Sequence, residues 1–293
     1  MDYKRKIDFA IKLLRSIPQD GPIEVSYSGG KDSDVILELA KMAGIPYEAI
    51  YKNTTIDPPG TIAHAREMGA TIINPKQSFY EILCERGWPN RWRRFCCAIL
   101  KEYKVHDRAI QGIRRSESVK RAERYKEPEM CRTYPHKEKA RIYLPILEWD
   151  LEDVARFIDE RGIKCAPVYY DECGTFHPER RLGCIGCPLA RNTQRIAEFK
   201  QYPGILKLYI RGGQRWFDDK PDSKACTRFN GNVYDMMYFY LFYEKWDDWV
   251  NDKDGGIFPE LAIDTKATLE EIFGIDLTLK NLRTSLRGGK FNK

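Results

Sequence analysis

Six consecutive residues, Ser28-Gly29-Gly30-Lys31-Asp32-Ser33, carry the densest chemical signal in the chain. Two glycines let a backbone curl until successive N–H groups face one concavity. Lys31 adds a full positive charge, and Ser28 and Ser33 add hydroxyl donors. A helix starting here would aim its N-terminal partial charge the same way. The set makes an anion site suited to a nucleotide's phosphates, with Lys31 and Asp32 as candidates for work at the reacting phosphate. The spacing is not the Walker pattern, which needs a longer interval before Gly-Lys-Ser/Thr.

Thiols form the second signal. Of nine cysteines, Cys96 and Cys97 are adjacent and Cys184 and Cys187 form a CxxC pair, while Cys84, Cys131, Cys165, Cys173 and Cys226 are scattered. The start, Met-Asp-Tyr-Lys-Arg-Lys-Ile-Asp-Phe, mixes charges among apolar residues and has no signal-peptide core. No apolar run approaches the roughly 20 residues of a membrane helix. The chain therefore reads as cytoplasmic, without membrane association. In a reducing compartment, clustered cysteines are metal ligands or redox groups before they are disulfides. Two thiol pairs with 86 residues between them suit an iron–sulfur cluster or a tetrahedral zinc. Adjacent helical residues point about 100° apart, and a zinc site would normally use CxxC twice, so the adjacent pair favours iron–sulfur.

Charge is segregated. Residues 86–141 hold 17 Lys and Arg against 7 Asp and Glu, an excess of +10, whereas the rest of the chain sums to −4. Such a stretch favours phosphate-rich partners, a nucleotide or a nucleic acid, or is a solvated basic face.

These residues need elements to position them. Residues 3–17 carry Ile7, Ala10, Ile11 and Leu14 at the helical period. Residues 23–27 read as a strand entering the glycine loop, and a helix with Val35, Ile36, Leu39 and Ala40 follows it. A strand at 47–51, a helix from Thr61, a strand at 71–73 and a strand at 141–146 continue the alternation. Asp150 then caps a helix. Strands alternating with helices predict an α/β fold with a parallel sheet, whose ligands bind at the carboxyl ends of the strands. The aromatic-rich stretch 230–250 predicts a buried helix. The expected division is a core over 1–190 and a helical extension over 191–293, ending in a mobile tail at 287–293.

With these blocks in place, the chain resembles the phosphoadenosine phosphosulfate (PAPS) reductase family of the PP-loop ATP-pyrophosphatase superfamily. Ser28–Ser33 matches the superfamily signature Ser-Gly-Gly-x-Asp-Ser. Further blocks follow in the family's order: Asn53-Thr54-Thr55-Ile56-Asp57-Pro58-Pro59-Gly60-Thr61, Cys96-Cys97 followed by Lys101, Gly112-Ile113-Arg114-Arg115-Ser116-Glu117-Ser118, and Pro145-Ile146-Leu147-Glu148-Trp149 with Asp153-Val154. The resemblance covers roughly residues 23–190. It implies a Rossmann-like, adenine nucleotide alpha-hydrolase-like sheet. It implies an adenine nucleotide, either ATP with Mg2+ or PAPS/adenylylsulfate (APS), with its phosphates on Ser28, Gly29, Gly30, Lys31, Asp32 and Ser33. Thr54, Thr55 and Asp57 would lie near the nucleotide at the end of the second strand, and Arg114 and Arg115 would clamp phosphate or sulfate. Cys96, Cys97, Cys184 and Cys187 are similar to the 4Fe–4S ligands of the adenylylsulfate-reducing branch, with Lys101 beside the cluster.

Two features depart from the reductases. Their usual Asp-Thr-Gly is Asn53-Thr54-Thr55 here, and their nucleophilic Glu-Cys-Gly-x-His tail has its counterpart in Glu172-Cys173-Gly174-Thr175-Phe176-His177, just before the CxxC pair. Cys173 is thus either the nucleophile or a buried bystander, and Cys131 is an alternative cluster ligand. The layout is also similar to sulfur-inserting enzymes of DNA phosphorothioation. Three functions follow: adenylation-linked sulfur transfer to a nucleic acid or small metabolite, a true sulfonucleotide reductase, or a nucleic-acid-binding module with a structural cluster. The first two imply a donor protein of sulfur or electrons, a cysteine desulfurase or a thioredoxin-like protein.

Overall fold

Ile23, Val25 and Tyr27 alternate along a segment buried on both faces, as expected of the central strand of a parallel sheet. Even Glu24 is buried there, where it accepts from Ser26 Oγ at 2.7 Å and lies 3.5 Å from the Lys52 ammonium of the neighbouring strand. In the computed structural model this strand, β1 (Ile23–Tyr27), is one of six. The others are β2 (Glu48–Lys52), β3 (Thr71–Ile73), β4 (Arg108–Ile110), β5 (Glu129–Thr133) and β6 (Lys139–Tyr143). Their order is β3-β2-β1-β4-β6-β5, all parallel except the antiparallel edge pair β5–β6. The chain has the Rossmann-like α/β fold that its alternation predicts. Order reverses beside β1, so β2 and β4 diverge on either side of the loop that leaves its carboxyl end, the usual ligand position in such sheets.

The structure describes residues 2–255 and 262–279, and the tail expected at 287–293 lies outside them. Two compact units emerge: Met1–Lys76 with Arg94–Cys184, and Gln77–Arg93 with Ile185–Lys293. In the first, helices Tyr3–Arg15, Lys31–Ala43 and Leu151–Arg161 cover the sheet with Ala10, Leu14, Leu39, Val154 and Phe157 fully buried. Asp150 and Asp153 form a reciprocal capping box at the start of the last of these, at 2.9 Å in both directions. The strand expected at 141–146 instead ends at Tyr143. Pro145 cannot donate to a ladder, and Leu144–Trp149 fold into buried turns.

The second unit is helical. Phe79, Phe199 and Tyr209 pack with ring centroids 5.3 Å apart, and Gly212 and Gly213 admit Leu83 and Trp88 where a Cβ would collide at 2.8 Å. The single buried helix expected over 230–250 is two, Val233–Phe242 and Trp246–Lys253, and part of its aromatic set lines a cleft. Among the described residues, no helix is long and apolar enough to cross a membrane.

Candidate functional site

The glycine loop is the link between β1 and the helix Lys31–Ala43. Gly29 has φ +75°, in the left-handed region, and a Cβ on it would lie 2.8 Å from Thr61 Cγ2, so both backbone and neighbours demand glycine. Ser28 donates to Ser33 Oγ at 3.3 Å, and Ser33 donates to the Gly30 carbonyl at 2.6 Å. The Lys31 N–H donates to the Tyr169 hydroxyl at 3.2 Å, and its ammonium stands 5.3 Å from that ring's centroid. Lys31 is 4% exposed. Beneath the loop, Asp34 receives the Tyr27 hydroxyl and lies 3.0 Å from His64 Nε2, tying helix to strand; burial and the Asp34 charge raise the Tyr27 pKa.

Asp32 joins two cations. It lies 3.3 Å from the Lys31 ammonium, and Arg114 Nε donates to it at 2.6 Å. Gly112 makes this approach feasible, because a Cβ there would sit 2.8 Å from the Asp32 carbonyl oxygen. Loop and strand ends enclose a cleft of about 370 Å³ lined by Lys31, Arg114, Arg121, Arg132 and Arg181 against only Asp32 and Glu117. Five cations facing two carboxylates leave a surplus of positive charge for an anion to answer.

The structure sorts the expected nucleotide residues. Ser28, Gly30, Lys31, Asp32, Ser33 and Arg114 line the cleft, with Gly29 between them in the chain. Arg115 is absent from the lining: its guanidinium is spent on Glu148 and on the carbonyls of Tyr125 and Lys126. Thr54 and Asp57 are absent too, and Thr55, at φ +64°, donates its N–H to Asn53 Oδ1 at 2.8 Å. Sequence reasoning did not single out Arg121, Arg132, Arg181 or Tyr169. For the first two the only signal was the basic stretch 86–141 in which they fall.

Thr54 and Asp57 instead surround a thiol. Cys184 Sγ lies 3.5 Å from Thr54 Oγ1 and 3.5 Å from Asp57 Oδ1, and Lys101 Nζ lies 3.6 Å from the same carboxylate oxygen. Burial pulls the Lys101 ammonium down, but the Cys184 sulfur and Asp57 outweigh it and raise its pKa. Burial likewise acts to raise Asp57, yet Lys101, Tyr51 and Thr54 hold it below the usual carboxylate range. Cys96 and Cys97 share the short helix Phe95–Leu100. A hydrogen bond from Cys96 lowers the Cys97 thiol to about 7 against the effect of burial, with Arg94 and Lys101 assisting. Cys97, Cys184 and Lys101 thus act on one another, while Cys187 falls in the second unit. Among the described residues, no group of three or more His, Cys, Asp and Glu is arranged to hold a metal ion.

Cys173 is exposed, not buried, on a hairpin closed by the Tyr170–Phe176 bridge, and does not line the cleft. Its N–H donates to Asp171 Oδ1 at 2.9 Å. His177 stands between Asp171 and Glu179 at 3.1 and 3.0 Å, which holds Asp171 at about 2 and raises the imidazole. Cys131 is exposed on the edge strand β5, and Cys84 and Cys226 belong to the second unit.

An uncharacterized protein of Methanocaldococcus jannaschii is 31% identical over 238 residues, covering 70% of this chain and 54% of the relative. An uncharacterized 37.8 kDa protein of Escherichia phage 186 is 30% identical over 156 residues, covering 48% of this chain and 43% of the relative. The chain thus spans about half the length of the curated relatives it matches. Among solved structures, the PAPS reductase of Candida auris in a phosphate complex is similar at 17% identity and TM-score 0.43, over 62% of this chain and 93% of that one. Candida glabrata FMN adenylyltransferase is similar at 16% identity and TM-score 0.40, over 57% and 58%. The family model of the phosphoadenosine phosphosulfate reductase domain matches residues 22–190, from the first residues of β1 to just beyond the CxxC pair. That span is more than half of the chain and contains the entire sheet, and by it the chain belongs to the phosphoadenosine phosphosulfate reductase family.

Proposed function

We propose that this chain is a PP-loop enzyme that binds an adenine nucleotide through Ser28–Ser33 and uses it in adenylation-linked sulfur transfer. One observation carries the reading: a buried lysine at a glycine-shaped helix start, in a cleft where five cations face two carboxylates. In an adenylation the acceptor attacks the α-phosphorus and pyrophosphate departs, so the enzyme must hold charge that accumulates on the leaving phosphates. Lys31 and the loop N–H groups meet that need. Asp32 orients Lys31 and Arg114 toward one another's ligand, and Arg121, Arg132 and Arg181 supply further cationic contacts. With ATP, Mg2+ would accompany the phosphates.

The cofactor in this reading is a 4Fe–4S cluster on Cys96, Cys97, Cys184 and Cys187. The donor set fits it chemically: soft thiol ligands, two of them interacting with the same lysine. Such a cluster would supply electron transfer or hold a sulfur for delivery. Lys101 would offset the negative charge that four thiolates bring.

A sulfonucleotide reductase is the second reading, favoured by the exposure of Cys173 beside His177. Anaerobically purified protein assayed with ATP and a sulfur donor, and separately with PAPS and a reduced thioredoxin, separates the two. Pyrophosphate release supports sulfur transfer, sulfite release supports reduction, and neither product from any nucleotide contradicts both.

A further inference from the structure

The second unit contains a cleft of about 540 Å³ that shares no residue with the phosphate loop. Arg195, Arg228, Tyr240, Tyr243, Trp246 and Trp92 line it. Arg195 is 5% exposed, lies 4.2 Å over the Tyr240 ring and donates to Asn192 Oδ1 at 2.5 Å. Its Nε is buried without a hydrogen-bond partner. Glu198, one turn further along the helix, feels the Arg195 charge, but its oxygens accept from the Gly186 N–H and from Gln194, each at 2.8 Å. Arg228 lies 3.9 Å over the Trp246 ring. A cation buried this far is costly unless an anion answers it. Arginines flat on aromatic rings keep their in-plane N–H groups available for phosphate. The one acidic residue on the rim, Glu244, is exposed and lies 3.5 Å from Arg91.

The aromatic members meet a second requirement. Trp92, at the cleft, is 93% exposed, so its ring face is open to stacking. Rings beside guanidinium groups are how proteins hold unpaired bases and the phosphates between them. The volume lies within the range of nucleotide-sized sites.

We propose that this cleft binds a single-stranded nucleic acid, with a base against the aromatic wall and its phosphate on Arg195 and Arg228. The proposal stands apart from the nucleotide reading of the glycine loop. Fluorescence polarisation of the full chain tests it with a labelled oligonucleotide of about 12 nucleotides, as DNA and as RNA, and with the matching duplex. The single strand should bind, weaken steeply with salt and outcompete the duplex. Trp92→Ala, which touches no core, and Arg228→Ala should each weaken binding by about tenfold, while Lys31→Ala should not. No binding at low salt, equal binding of duplex, unchanged affinity in both cleft variants, or loss in Lys31→Ala would each overturn the proposal. ATP titrated into the same proteins keeps the two readings separate: Arg228→Ala should bind ATP as the wild type does.

Discussion

The phosphate loop and the thiol group both gather reactive side chains in the first unit, but they are built in opposite ways. The loop's core is six contiguous residues shaped by glycine at 29 and by short-range hydrogen bonds from Ser28 and Ser33, with Tyr169 and Arg114 bracing it from outside. The thiol group draws Thr54 and Asp57, Cys97 and Lys101, and Cys184 from three remote stretches. The loop holds its cations with carboxylates already in place and still has charge to spare. The thiol group has one lysine serving several anionic partners. A site of the first kind forms from local sequence, whereas one of the second kind is assembled only by the tertiary fold.

The largest effect that separates the two is metal content. Anaerobically purified protein should carry about four irons and four sulfides per chain. Cys187→Ser should lose most of both, Arg114→Ala should retain them, and Cys84→Ser and Cys226→Ser should too. Stoichiometric zinc without sulfide would replace the cluster with a structural site. If Cys131→Ser or Cys173→Ser bleached the protein while Cys96→Ser did not, the ligand set would have to be redrawn.

Next in size is the loop's own preorganisation. Arg114→Ala removes the guanidinium from Asp32, whose side chain is 20% exposed. Breaking such a pair should cost about 2–3 kcal/mol, somewhat below the figure for a fully buried pair. Urea unfolding measures it. A loss below about 0.5 kcal/mol, the scale of an ordinary surface substitution, would mean that the loop is not held by its charges.

The smallest effect lies on the Cys173 hairpin, outside both groups. His177 should titrate above its ordinary value of about 6.5. Because its folded pKa is raised, the ion pair with Asp171 contributes fully below the unfolded pKa and is lost as pH rises through the folded one. NMR of the imidazole should show this, with Asp171→Asn returning His177 toward the ordinary value.

How much of this could be read from the chain follows the same division. The glycine loop, β1, β2 and the Asp150 cap were legible because their signals are local: alternation, a glycine pair, a capping residue. β4 was not: Arg108–Ile110 sits inside the charged stretch 86–141 with no β-branched run to mark it, whereas the equally short β3 announces itself as Thr71-Ile72-Ile73. The two arginines at 114 and 115 looked equivalent, yet only Arg114 faces the cleft. Arg115 is drawn off by Glu148, a partner 33 positions away. Thr54 and Asp57 were expected beside the nucleotide, and only the fold reveals Cys184 and Lys101 next to them. The density of aromatics over 230–250 signalled packing correctly for Met237, Leu241 and Trp249, but gave no hint that Tyr243 and Trp246 would face a cleft.

The central claim is that the Ser28–Ser33 loop binds an adenine nucleotide, and isothermal titration tests it most directly. ATP and PAPS should be titrated into the wild type and into Lys31→Ala. The account predicts saturable binding of at least one nucleotide by the wild type. It also predicts a loss of about ten- to a hundredfold in the variant, the worth of one charge-assisted contact, with the thermal transition nearly unchanged. Equal affinity of both proteins for both nucleotides, or no binding of either by the wild type, would contradict it.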